Sequence, residues 1–393
     1  MTTFVLINPH LGPVLGGIQK DMLCLAREFL AQGDRVAVVT TWDEFPAGRV
    51  DPRRPLTYDL PPGLEIVRLE GRLRSRLRGF HPANPPLWLP GLTRAVLQFE
   101  PDAVIFFNIG WPLTVLPALL ALRRRTAVLY RTAYHAHDAG CPLDPLRSRL
   151  QLGVAGLSHR LLTYSHFEKQ QIVAQGRVPA DRIVPVYPGV EVFQPTPEEL
   201  TAFRSAFELD GKMVISHVAR LSAFKGTDKL LQALPQVRAR SRRDVVLLLV
   251  GRNVEEDHLR GLTRELGMEA HVRFSGPLSE RELHCAYAAS HVFALPSQYE
   301  SFGFVFLEAM AHGVPVVGVQ TGGVGEVIRQ GETGYILDSP DDIDGLVDCL
   351  TRLAVDEGLR ARMGEQARAW VEQQFSWSAA ARAIRGIVEE LAS

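Results

Sequence analysis

One unit recurs along this chain and restricts its fold more than any other feature. It is a short β-branched or apolar run, then a turn rich in Gly or Pro, then an amphipathic helical pattern. Strand runs stand at Phe4–Ile7, Arg35–Thr40, Glu65–Leu69, Ala103–Phe107, Ala127–Arg131, Arg160–Thr163 and Ile183–Val186 in the first half. They continue at Met213–Val218, Val245–Val250, Val272–Ser275, Val292–Leu295, Val316–Val319 and Tyr335–Leu337. Helical spacing fills most of the gaps, as at Ile18–Gln32 and Thr227–Arg240. Strand alternating with helix dictates a parallel α/β sheet covered on both faces.

A chain of 393 residues exceeds one ordinary core and suits two domains. The alternation pauses once, across Tyr187-Pro188-Gly189-Val190-Glu191-Val192-Phe193-Gln194-Pro195-Thr196-Pro197, a Pro-rich linker. The expected fold is therefore two doubly wound, Rossmann-like domains facing across a cleft, residues 1–190 and 191–375. Ligands of such sheets bind beyond the carboxyl ends of the strands.

Composition removes several function classes. A net charge of −1 argues against a nucleic-acid partner, which needs a basic surplus. Cys24, Cys141, Cys285 and Cys349 lack paired metal-ligand spacing and read as free buried thiols of a reducing cytosol. The start Met1-Thr2-Thr3-Phe4-Val5-Leu6-Ile7-Asn8 reads as a first strand and not as an export signal, so a cytoplasmic location is expected. Ala103 to Leu122 is uncharged and long enough to imitate a membrane span. Asn108, Gly110, Pro112 and Pro117 break it, so strand, loop and a helix restarting near Pro112 is the better reading.

Chemistry concentrates in the stretch from Tyr299 to Val317. Ser301-Phe302-Gly303 falls where a helix should start, and free N–H groups with the positive dipole end make an anion site there. Glu300 and Glu308, eight positions apart, lie little more than two turns apart on similar faces and could bracket a ligand. As an isolated pair they are equally compatible with solvated helix acids. Another element, His217-Val218-Ala219-Arg220-Leu221-Ser222-Ala223-Phe224-Lys225-Gly226-Thr227, closes a strand with Arg220 and opens a helix after Lys225. Both cations can converge on one point.

These residues closely resemble the donor-binding signature of retaining glycosyltransferases of the GT-B fold, family 4. The match runs through Glu300-Ser301-Phe302-Gly303-Phe304, Leu307-Glu308-Ala309-Met310-Ala311, Gly313-Val314-Pro315-Val316-Val317, Gly322-Gly323, Glu326 and Gly331-Glu332-Thr333-Gly334. The resemblance implies a nucleotide-diphosphate sugar as donor substrate, with no other cofactor. It places Glu300 beside the transferred sugar, the backbone amides of Phe302 and Gly303 against sugar hydroxyls and phosphate, and Glu308 on the ribose hydroxyls. Arg220 and Lys225 would grip the diphosphate in place of a divalent metal. The nucleobase would meet backbone near Arg273-Phe274-Ser275-Gly276. The resemblance also implies that the tail after Phe375-Ser376-Trp377, residues 376–393, is a helix crossing back to the first domain.

The amino-terminal half matches less densely. Gly16 and Gly17, between strand one and helix one, resemble the family's paired glycine that lets backbone approach phosphate and acceptor. They do not form the dinucleotide fingerprint. Tyr130-Arg131-Thr132-Ala133-Tyr134-His135-Ala136-His137-Asp138 offers a loop histidine of the kind the family sets against the donor sugar, and His135 is preferred to His137. The acid runs Glu255-Glu256-Asp257 and Asp341-Asp342-Ile343-Asp344 invite a metal reading. The run from Asp341 suits a helix entrance better, and no metal is expected. Gly71 to Phe80, with Arg72, Arg74, Arg76 and Arg78, followed by Trp88-Leu89, sets cations beside apolar anchors. It suits a solvated or acceptor-binding loop, or peripheral contact through Arg72–Phe80 with an anionic inner membrane face.

The resemblance implies transfer to a glycan, lipid-linked or small-molecule acceptor with retention of anomeric configuration. A nucleotide-sugar epimerase or hydrolase on the same fold, and a non-catalytic sugar-binding protein, are the competing readings.

Overall fold

A computed structural model describes residues 1–8, 11, 17–41, 43–44, 48–49, 59–70, 72–73, 87–107, 112–132 and 144–393. These form two units, Met1–Gly189 with Ser376–Ser393, and Val190–Phe375.

In the first unit the strands are β1 (Thr3–Ile7), β2 (Arg35–Thr41), β3 (Glu65–Leu69), β4 (Ala103–Phe107), β5 (Ala127–Arg131), β6 (Arg160–Thr163) and β7 (Ile183–Pro185). They pair in parallel in the order β7-β6-β5-β4-β1-β2-β3. β4 is buried at every residue, as expected of a central parallel strand covered on both faces. The helices are α1 (Gly17–Ala31), α2 (Leu92–Leu97), α3 (Pro112–Leu122), α4 (Asp144–Ala155) and α5 (His166–Ala174). Residues 103–122 are thus a strand and a separate helix that starts at Pro112. No helix among the described residues is long and apolar enough to cross a membrane. The C-terminal helix Trp377–Ala392 packs on α1, burying Trp377, Ile384 and Val388, and Arg385 bonds Asp34 and Gln32 at the α1–β2 turn.

In the second unit the strands are β8 (Met213–Val218), β9 (Val245–Val250), β10 (Val272–Gly276), β11 (Val292–Leu295), β12 (Val316–Val319) and β13 (Gly334–Leu337). They too are all parallel, in the order β10-β9-β8-β11-β12-β13. The helices are α6 (Pro197–Ala206), α7 (Thr227–Ser241), α8 (Glu256–Glu265), α9 (Glu280–Ala288), α10 (Phe304–Ala311), α11 (Val324–Val327), α12 (Ile343–Val355) and α13 (Glu357–Gln374). Met213 and Ile215 of β8, Val245, Leu247 and Leu249 of β9, and Val292 and Ala294 of β11 form a buried core with α7 and α12.

The two sheets share a pattern. In each, chain order runs outward from a first strand in one direction and then jumps back to continue in the other. The strand order reverses between β1 and β4, and again between β8 and β11. At such a switch point the connections leave in opposite directions, which opens a crevice beyond the strand ends.

Candidate active site

Both central strands of the second unit end at its switch point. The segment after β8 carries Arg220 and Lys225, and that after β11 carries Glu300. Glu300 accepts an ion-paired hydrogen bond from Lys225 Nζ, and these side chains retain only 14% and 19% of their exposure. The backbone also joins the two loops, for Gln298 N–H donates to Phe224 O over 2.9 Å. Gly226 is in the left-handed region at φ 72°, and a Cβ there would lie 2.1 Å from Pro296 O. Only glycine permits this approach of the α7 entrance to the end of β11. Gly322, at φ 55°, abuts Glu300 from the other side, with a Cβ position 1.7 Å from Glu300 O.

Two helices begin here, and neither has a side-chain cap. α7 opens after Gly226 and α10 after Gly303, both left-handed and without a side chain to take the first N–H groups. By contrast Thr196, Ser279, Asp342 and Asp356 cap α6, α9, α12 and α13. Uncapped N–H groups and two positive dipole ends at one switch point suit an anion.

Beneath the Lys225 loop lies His217, fully buried on β8. Its Nδ1 meets Ala294 O at 2.9 Å, and a carbonyl only accepts, so Nδ1 carries the proton. Nε2 then accepts from Thr227 Oγ1 over 3.0 Å, and Thr227 Oγ1 accepts from Ser222 N–H over 3.1 Å. Burial, reinforced by Lys225, lowers the His217 pKa to about 4 and keeps the ring neutral. This chain of bonds ties β8, β11 and the first residue of α7 together. Glu255 adds a further tie by accepting from Ala223 N–H over 3.0 Å.

Glu308 lies on α10, almost wholly buried, and its Oε2 accepts from Tyr287 Oη over 2.8 Å. His312, one turn on, faces the Glu308 carbonyl with Nδ1 at 2.8 Å. Its Nε2 is 3.3 Å from both His284 Nδ1 and Phe193 O. The expectation that both acids share one helical face is corrected here. The chain is non-helical until Phe304 because Gly303 turns it at φ 91°, so Glu300 precedes the helix and only Glu308 lies on it.

The remaining expected residues divide clearly. Arg220 is exposed and has no side-chain partner among the described residues, so Lys225 and Glu300 come together without it. The Phe302 side chain is buried against Phe304 and Phe375, which leaves its backbone for any ligand contact. Phe274 sits mid-way along edge strand β10, with the Arg260 guanidinium 4.6 Å from its ring centre. Asp342 caps α12 through Gly345 N–H, and Asp341 pairs with Lys229 at 2.8 Å. Cys24 and Cys285 are buried, whereas Cys349 is only partly buried. Gly17 opens α1, while Gly16, His135, His137, Cys141 and residues 74–80 lie outside the described residues.

One cluster was not anticipated from the sequence. Arg131, at the carboxyl end of β5, is fully buried and grips both oxygens of Asp21 on α1, at 2.6 and 3.0 Å. Tyr164 Oη donates to the same carboxylate over 2.6 Å, and its ring lies 4.3 Å beneath the guanidinium. Burial alone would lower the Arg131 pKa, but Asp21 and Tyr164 outweigh it and raise the value. The pair joins the helix that Gly17 opens to the strand that precedes His135 in sequence.

Two doubly wound parallel sheets in one chain make this a GT-B fold, and solved structures agree. Sucrose-phosphate synthase from Thermosynechococcus elongatus superposes with a TM-score of 0.79 at 22% identity, over 100% of both chains. The family model for glycosyl transferases group 1 matches residues 200–370, and that for the glycosyl transferase 4-like domain matches residues 16–189. A Mycobacterium tuberculosis relative, named GDP-mannose-dependent alpha-(1-6)-phosphatidylinositol monomannoside mannosyltransferase, is 30% identical over 77% of this chain and 82% of its own. The D-inositol 3-phosphate glycosyltransferase of Corynebacterium glutamicum is 27% identical over 95% of this chain and 92% of its own. This chain belongs to the group 1 glycosyltransferase family and is a glycosyltransferase.

Proposed function

We propose that this enzyme moves a hexose from a nucleoside-diphosphate sugar to an acceptor hydroxyl, with retention of anomeric configuration and without a resident metal ion. One observation carries the reading: the Lys225–Glu300 ion pair spans the switch point between two helix entrances that no side chain caps. Lys225, joined by Arg220, offsets the charge that grows on the diphosphate as its bond to the sugar C1 breaks. The amides of Phe302 and Gly303 meet sugar hydroxyls and phosphate. Glu300 orients the transferred sugar and is not a covalent nucleophile. Glu308 holds the ribose hydroxyls, and backbone at Phe274 lies by the base.

On the same reading Gly16 and Gly17 let backbone approach phosphate and acceptor, and His135 meets the donor sugar. The acceptor oxygen bonds to C1 on the face the diphosphate leaves, and its proton passes to the departing diphosphate oxygen. Among glycan, lipid-linked and small-molecule acceptors, those carrying an inositol phosphate come first, because the names of both relatives share that group. GDP-mannose is the first donor to test, on the name of the mycobacterial relative. A lipid-linked acceptor fits a cytoplasmic enzyme that touches the membrane peripherally through Arg72–Phe80.

The test incubates the protein with GDP-mannose, UDP-glucose or UDP-N-acetylglucosamine, with and without inositol phosphate or phosphatidylinositol vesicles. Proton NMR then gives the anomer formed. Transfer with the donor's own anomeric configuration, unaffected by a chelator, is expected. An inverted product, or donor turnover that ignores every acceptor, overturns the reading.

A further inference from the structure

We propose that Tyr287 is a positioning residue for the donor ribose, acting through Glu308. The inference rests on the reading that Glu308 accepts the ribose hydroxyls. Tyr287 lies on α9, 21 positions before Glu308, and its side chain is wholly buried. Its hydroxyl donates 2.8 Å to Glu308 Oε2. An ionised carboxylate offers about four lone-pair positions on two oxygens, and the Tyr287 bond occupies one of them. What that bond removes is rotation: with Oε2 held, the plane of the carboxylate is set before a nucleotide arrives. A preset plane spares the ordering cost that a freely rotating carboxylate would incur on binding.

The phenol donor is itself held rigidly. The Tyr287 ring packs 6.0 Å from Phe293 on β11 and 5.7 Å from His312, just past α10. Phe293 in turn meets Phe306 edge-on at 5.5 Å, so α9, β11 and α10 share one aromatic seam. A reciprocal Ser279–Glu282 capping box fixes the entrance of α9. The chemistry also has the correct polarity. Burial, and then the Glu308 charge, raises the Tyr287 pKa well above its ordinary value, so the phenol stays a donor and leaves the charge on Glu308. A phenylalanine at this position would keep the packing and lose only the restraint.

Isothermal calorimetry with GDP and UDP, each alongside its 2′,3′-dideoxy counterpart, reads the effect directly. Wild type should bind the ribonucleotide at least about tenfold more tightly than the dideoxy form, the scale of two hydroxyls bonded to a charged group. Tyr287→Phe should cut that ratio about fivefold, the scale of one hydrogen bond of about 1 kcal/mol, while affinity for the dideoxy nucleotide stays unchanged. That unchanged affinity separates a ribose effect from a misfolded site. Glu308→Ala should abolish the ratio, and adding Tyr287→Phe to it should do nothing further. If wild type does not discriminate between the nucleotides, the Glu308 reading fails and takes this one with it. If wild type discriminates and Tyr287→Phe discriminates equally well, Glu308 keeps its role and the Tyr287 proposal alone is overturned. Equal losses for both nucleotides in Tyr287→Phe would likewise overturn it, showing a structural role only.

Discussion

Replacing Lys225 with Ala should separate the proposed catalytic role of this cation from its structural one. In the free protein its ammonium bonds Glu300, and both side chains are more than four-fifths buried. Removing it leaves a largely buried carboxylate without its counter-charge. A fully buried pair broken in this way costs about 3–5 kcal/mol, and residual solvent access here reduces that to about 1–2 kcal/mol. For a chain of this size the melting temperature should fall by only a few degrees, about 2–4 °C per kcal/mol. The catalytic loss should be much larger. On the proposed reading Lys225 faces charge that develops as the diphosphate departs, and losing one such group costs about 10²–10³ in kcat. Restoring charge balance with Lys225→Ala/Glu300→Gln should recover the melting temperature and leave kcat low. Thermal melts and initial rates of sugar release from the donor, at saturating donor, provide both readouts. A kcat within about threefold of wild type in Lys225→Ala would refute the assignment, whatever happens to stability.

Three further perturbations test the scaffold. Arg131→Met strands the buried Asp21 carboxylate and should cost about 3–5 kcal/mol in urea unfolding, much of it recovered by Asp21→Leu/Arg131→Met; equal losses in both variants would contradict the charge argument. His217 titrates at about 4 when folded and at about 6.5 when unfolded, so the unfolded chain binds the extra proton between those values. Its contribution is therefore complete above about pH 6.5 and is lost as pH falls toward 4, by up to about 3 kcal/mol. Urea titrations at about pH 7 and about pH 5 should show a steeper fall for wild type than for His217→Asn. Gly226→Ala forces a Cβ to 2.1 Å from Pro296 O at a positive φ, and should cost upward of about 2 kcal/mol and raise the donor KM; a wild-type melting temperature and KM would show that the loops are not pinned together as described.

The sequence makes the sheets readable and much of the site's support unreadable. Among the described residues, each of the thirteen long strands stands within about a residue of its expected bounds, because buried parallel strands are nearly continuous apolar runs. The two-residue pairs Asp43–Glu44 with Gly48–Arg49, and Arg72–Leu73 with Leu87–Trp88, are too short to show any period. Lys225 and Glu300 were identifiable as residues but not as a pair, since 75 positions separate them and only the strand order brings them together. Tyr287 and His217 sit inside apolar patterns and read there as ordinary core residues. Asp21 and Arg131 are 110 positions apart, and nothing local to either announces a buried ion pair. The helical period put Glu300 and Glu308 on similar faces little more than two turns apart, and one glycine at φ 91° was enough to undo that geometry.

Helix caps give an independent line to the same site. A Ser, Thr, Asp or Asn cap is worth about 1 kcal/mol. Ser165, Thr196, Ser279, Asp342, Asp356 and Ser376 all provide one by taking a first-turn N–H. α2, α8 and α11 also lack a side-chain cap; the first turn of α8 holds two acids, Glu256 and Asp257, that of α11 holds Glu326 and that of α2 none, while α7 has Asp228 alone and α10 has none. At α7 and α10 the chain forgoes the cap and places left-handed glycines instead. Neither helix lacks room for a cap by accident: Gly226 presses on Pro296, and the Phe306 ring lies where a Gly303 Cβ would be, 2.5 Å away. Packing therefore excludes side chains from both entrances at once, and both lie at the switch point of one sheet. A fold selected for stability alone has no reason to leave two adjacent anion-ready helix ends open. A fold that must accept and release a diphosphate does, because a resident carboxylate or hydroxyl cap would compete with the ligand for the same N–H groups.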